Sequence, residues 1–132
     1  MKKWKMGLVI DDDSGMAQLV SNFMHELKVQ AIVCGNAEDA CNMRKLKDFA
    51  VAFVDIFMPG MGGIEGIRSL KQKNPDLLVV AMSGGWRTVS GQSAIRAAQK
   101  IGADMALCKP FTFEEFKTCL DPIIDDDLRS GG

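Results

Sequence analysis

Five short apolar runs, separated by amphipathic stretches, constrain this chain more than any other feature. The runs are MGLVI (6–10), VQAIVC (29–34), VAFVD (51–55), LLVVAM (77–82) and MALC (105–108). Each is flanked by turn residues and reads as a strand. Near-continuous apolar runs suit strands covered on both faces, as in a parallel sheet. After the first run, Met16, Leu19, Val20, Phe23 and Leu27 recur at spacings of three and four, which predicts one apolar helix face. A second helix is expected over 36–47. A third, from about Gly62 to Lys73, carries Ile64, Ile67 and Leu70 and is stopped by NPD. A fourth, near 90–101, carries Ala94, Ile95, Ala98 and Ile101 and is ended by Gly102. Thr112 and Glu115 form a capping-box pattern that opens a fifth. Its apolar stripe is Phe113, Phe116, Leu120 and Ile123 or Ile124, and Pro122 predicts a kink or an early stop.

The order is therefore βα, five times over. Right-handed crossovers turn that order into an open, doubly wound parallel five-stranded sheet with helices on both faces, a three-layer α/β/α arrangement. A length of 132 residues argues for one domain, and 47% hydrophobic residues suffice for a core. Sixteen basic and seventeen acidic residues leave a net charge of −1, which offers no global attraction to nucleic acid or to an anionic membrane. No apolar run approaches the roughly 18 residues of a membrane span. At the start, MKKWKMGLVIDDD, acidic residues interrupt any secretory signal, so a cytoplasmic setting is expected. Cys34, Cys41, Cys108 and Cys119 form no C-x-x-C pair and are expected as reduced, mostly buried thiols.

In a sheet of this kind, ligands bind outside the carboxyl ends of the strands. The first strand ends in Asp11, Asp12 and Asp13, the third in Asp55, the fourth in Ser83 and the fifth in Lys109–Pro110. An isolated run of three aspartates is usually a solvated turn, and Asp125–Asp127 reads that way. Carboxylates on adjacent strand ends, without a nearby His, suit a hard cation such as Mg²⁺. Lys109 would serve as a point charge for a phosphate and Ser83 as a hydrogen-bond donor to one. Asp55 is then free to act as a nucleophile.

Four stretches, LVIDDDSGM, VAFVDIFMPGMGGIEGIRSL, VVAMSGG and GADMALCKPF, together resemble the response-regulator receiver domains of two-component signalling. The resemblance covers about residues 5–124. It implies a flavodoxin-like fold in which Asp55 accepts the phosphoryl group. Asp12 would bind Mg²⁺ with Asp11 assisting, and the backbone carbonyl of Phe57 would be a further ligand. Ser83 and Lys109 would contact the phosphoryl group, and the Lys109–Pro110 bond would be cis. A sensor histidine kinase or a histidine phosphotransfer protein would supply the group, and a downstream protein target would read the result. Neither nucleic acid nor membrane is an expected partner. Turnover would be confined to self-catalysed uptake and slow loss of the phosphoryl group, so the chain is not expected to be an enzyme. Residues 125–132 read as a short tail with no output domain.

One departure concerns Ala106. Receivers usually carry Tyr or Phe three residues before the lysine, so the usual aromatic relay is in question, and the glycine-rich loop after Ser83 is the expected substitute. Phe57 and Gly85 lack the polar groups that assist self-hydrolysis, so a long-lived phosphoryl state is expected. Two other readings stand beside this one: a phosphorylation-independent interaction module of the same fold, and a haloacid-dehalogenase-type phosphatase built on Asp11-x-Asp13. The second leaves Asp55 without a role. His25 is expected on the outside of the first helix. Met58, Met61 and Trp86 lie in expected loops near the site.

Overall fold

The computed structural model describes residues 4–56, 63–84 and 89–124. The elements run β1 (Lys5–Ile10), α1 (Ser14–Glu26), β2 (Val29–Cys34), α2 (Ala37–Cys41), β3 (Val51–Asp55), α3 (Gly63–Lys73), β4 (Leu78–Ser83), α4 (Val89–Lys100), β5 (Met105–Cys108) and α5 (Phe113–Cys119). A short 3-10 turn, Leu46–Asp48, precedes β3. The strands form one sheet in the order β2-β1-β3-β4-β5. Every neighbouring pair is parallel. This is the doubly wound α/β fold that the alternation of runs predicts.

Alternate side chains of each central strand enter opposite cores, as the two-residue period of a strand requires. Leu8 and Ile10 of β1, Ala52 and Val54 of β3, and Val79 and Ala81 of β4 face Ala37, Ala40, Ile67, Leu70 and Ala98 of α2, α3 and α4. Val9, Val51, Phe53, Val80 and Met82 face Ala17, Val20, Met24, Phe116 and Leu120 on the α1/α5 side. Phe116 stacks on Phe53 with ring centroids 4.6 Å apart and meets Phe23 edge-on at 5.3 Å. These rings tie α1 and α5 to the middle of the sheet.

Helix ends follow local chemistry where that chemistry is local. Asp13 caps α1, its side chain accepting from the N–H groups of Gly15 and Met16. Thr112 and Glu115 make the expected reciprocal capping box. Gly102, at φ +133, follows the end of α4. The helix α5 takes the early-stop alternative, ending at Cys119 ahead of Pro122. Ile123 and Ile124 still pack on the core from beyond it.

Several expectations need correction. The second helix does not reach residue 47; α2 is five residues long. The Lys73 ammonium donates to the Cys41 carbonyl at its end. Asn74, buried after α3, donates to the carbonyls of Leu46 (3.0 Å) and Phe49 (3.1 Å), fixing the following segment in another shape. Those donors lie far along the chain, and no local pattern announces them. Leu19 is 37% exposed, because α1 buries the face through Ala17, Val20 and Met24. β2 and β5 are not covered strands but the two edges, and Val33 on β2 is 51% exposed. Of the four free thiols, only Cys41 and Cys119 are buried. His25 is exposed on α1, as expected, in a T-shaped contact with Trp4. Among the described residues, no helix is long and apolar enough to cross a membrane.

Candidate functional site

The chain leaves β1 toward β2 on one side and returns to β3 on the other, so β1 and β3 are neighbours whose connections diverge. That divergence opens a crevice at their carboxyl ends. Asp11 lies just past β1 and Asp55 closes β3; both are buried. Two backbone bonds continue the ladder past the strands and hold the rim. Asp11 N–H donates to Cys34 O (3.2 Å), and Ile56 N–H donates to Met82 O (3.1 Å).

Lys109 crosses to this crevice from beyond β5. Its N–H donates to Ser83 O at 2.9 Å, which sets the start of its side chain. Its Nζ then stands 3.0 Å from Asp11 Oδ2 and 3.4 Å from Asp55 Oδ2. Burial works against the charge of Lys109. The hydrogen bond to Asp11 and the negative charges of Asp55 and Asp11 outweigh it, and the lysine pKa lies above its ordinary value. Lys109 is therefore a fixed cation at neutral pH. The Lys109–Pro110 peptide bond is cis.

Three consecutive aspartates separate into distinct environments. Asp11 turns inward, and its Oδ1 also accepts from Asp13 N–H at 2.9 Å. Asp12 is exposed, and its carboxylate joins those of Asp11 and Asp55 in a group whose ligand atoms lie within 4.8 Å of one another. Asp13 spends one oxygen on the first turn of α1. Ser83 is fully buried at the end of β4, in register with Cys108 of β5. Asp11, Asp12, Asp55 and Lys109 thus converge, with Ser83 on the neighbouring strand end. Phe57, Met58, Met61, Gly85, Trp86 and the Asp125–Asp127 run lie outside the described residues. Sequence reasoning placed Lys109 against a phosphate; its pairing with both buried carboxylates is what that reasoning missed. Ala106 is half-buried on the edge strand, in register with Ala81.

A five-stranded doubly wound α/β domain with an acidic crevice and a lysine at the strand ends is the class that this geometry defines. Residues 8–121 match the response regulator receiver domain family, and the chain belongs to it. It is 27% identical over 123 residues to the autoinducer 1 sensor kinase/phosphatase LuxN of Vibrio campbellii, covering 93% of this chain and 14% of that protein. It is 30% identical over 119 residues to the two-component response regulator ARR14 of Arabidopsis thaliana, covering 89% of this chain and 30% of the relative. The chain therefore spans a third or less of the length of these two relatives. Among solved structures it resembles the chemotaxis protein CheY4 of Vibrio cholerae, with a TM-score of 0.78 at 20% identity over 91% of this chain and 98% of that one. That likeness speaks to the fold.

Proposed function

We propose that Asp55 accepts a phosphoryl group from a phosphohistidine on a sensor histidine kinase or a histidine phosphotransfer protein. The acyl phosphate then alters a surface that a downstream protein reads. The observation that carries this reading is the bridging position of Lys109, 3.0 Å from Asp11 and 3.4 Å from Asp55. A half-buried lysine held against two buried carboxylates at a crevice is placed to follow charge onto an incoming phosphoryl group.

An Oδ of Asp55 forms the new P–O bond as the P–N bond of the donor breaks. The electron pair of that bond returns to the imidazole nitrogen. Lys109 moves from the carboxylates toward a phosphoryl oxygen, and the Ser83 hydroxyl donates to another. Both act by position and charge, as phosphoryl transfer requires. The donor set of the Asp11, Asp12 and Asp55 group is all carboxylate, which fits a hard cation, and the Phe57 carbonyl would add a further oxygen. Mg²⁺ held there would neutralise charge on the phosphoryl oxygens. The capping role of Asp13 favours this assignment over the phosphatase alternative, which needs Asp13 at the reacting centre. The same reading has the chain taking up and slowly losing its phosphoryl group without acting on other substrates, in the cytoplasm.

Acetyl phosphate supplies the test. With Mg²⁺ the wild-type chain should gain the mass of one phosphoryl group. Without Mg²⁺, or in Asp55→Asn, it should gain none. Labelling of Asp55→Asn at the wild-type rate would refute the assignment.

A further inference from the structure

We propose a second binding site at the pole of the sheet opposite Asp55, for a small, multiply charged organic anion with an aliphatic body. Helices α2 and α3 both run back from the carboxyl ends of the strands, and α3 ends at Lys73 beside the segment that leads into β3, where Asn74 holds Leu46 and Phe49. A cavity of about 500 Å³ opens between these helix ends. That volume lies within the range of small-molecule sites, roughly 300–1,000 Å³. Arg44, Lys47 and Lys73 line it, and among the described residues no carboxylate does. None of the three is in an ion pair among the described residues. In a chain of net charge −1, Arg44 and Lys47 are a local excess of positive charge beside Lys73, whose ammonium is already held on the Cys41 carbonyl.

The carboxyl ends of helices attract cations on their own account, and that explains Lys73, which donates to Cys41 O. It does not explain Arg44 and Lys47. They lie past the end of α2, in a segment pinned by the two Asn74 bonds to Leu46 O and Phe49 O. The cavity wall is thus set by the protein's own hydrogen bonds. Met43 and Leu46 give the lining an aliphatic part. Among the described residues, no aromatic ring lines it. The planar fork of Arg44 suits a phosphate or carboxylate group, and the two lysines act as point charges. The shared chemistry is a polyanion of the sugar-phosphate or polycarboxylate type.

The experiment is an NMR amide-shift titration of the full chain without divalent cation, using fructose 1,6-bisphosphate, citrate and uncharged glucose. At least one anion should give saturating shifts at residues 42–47 and 72–73, and glucose none. Preference for the bisphosphate identifies a phosphate site and preference for citrate a carboxylate site. Arg44→Gln and Lys47→Gln, both exposed, should each weaken binding roughly 10-fold, the worth of one charge-assisted contact. Asp55→Asn should titrate like wild type, which keeps this proposal separate from the phosphoacceptor reading. Absence of saturable shifts overturns it, as do shifts that survive the Arg44→Gln/Lys47→Gln double variant or vanish in Asp55→Asn.

Discussion

Three adjacent carboxylates meet three environments within one turn of chain. Asp11 is buried against Lys109, Asp12 is exposed in the acidic group, and Asp13 caps α1. Removing each should therefore fail differently. Asp12→Ala should lose most of its Mg²⁺ affinity while folding normally, and relief of repulsion should raise its melting temperature without metal. Asp13→Ala should keep Mg²⁺ affinity near wild type and lose stability by about 0.5–2 kcal/mol, the range for a lost N-cap. Calorimetric Mg²⁺ titration and thermal melts of the two variants check the pair; equal Mg²⁺ losses would contradict it. A second prediction concerns Cys119, whose pKa is pushed up to about 11 by burial first, with Glu115 and Asp121 adding. Its folded pKa is raised, so the stability linked to its protonated form is present below the unfolded thiol pKa. That stability is lost as pH rises through about 11. Iodoacetamide at pH 8 should leave Cys119 unmodified in the native chain and modify it in urea. The place of these carboxylates at the end of the first strand was legible because they directly follow an apolar run. The pairing of Lys109 with Asp11 was not legible, since 98 residues separate them.

At the scale of elements, the strands and four of the helices follow hydrophobic period and caps, and the exception shows why. Ala37, Ala40 and Cys41 bury one face of α2, but the chain then leaves the helix under hydrogen bonds from Lys73 and Asn74. A window of local sequence holds no trace of those donors. Small residues likewise became meaningful only once α2 met α3. A Cβ built on Gly66 would stand 2.7 Å from the Ala37 Cβ, a backbone-anchored atom with nowhere to rotate. Gly66→Ala gains about 1 kcal/mol of helix propensity. The clash forces the helices apart and should cost more, for a net loss of about 1–2 kcal/mol in urea unfolding. A more stable Gly66→Ala variant would show that the α2–α3 contact is loose.

At the scale of the whole molecule, two cores share one sheet, and the strand order decides which residues end up inside. Alternation predicted a parallel sheet but not its order. Both edge strands, β2 and β5, therefore read as covered when they are half-exposed. The central strands read correctly because every side chain of β3 and β4 is buried. Phe116 joins α1, α5 and β3 through its ring contacts, so Phe116→Ala should destabilise the domain by about 3–5 kcal/mol in urea unfolding. A loss below about 1 kcal/mol would mean that the α1/α5 core closes over the gap. That frame brings β1, β3 and β5 together at one pole, and the identity of the reacting carboxylate is the central point there. An acyl phosphate on aspartate is reduced by borohydride to homoserine, which marks the position covalently. After acetyl phosphate and Mg²⁺, reduction and peptide mass analysis should find homoserine at position 55. Homoserine at position 11, 12 or 13 instead, or a phosphoryl label that resists borohydride, would contradict the assignment of Asp55.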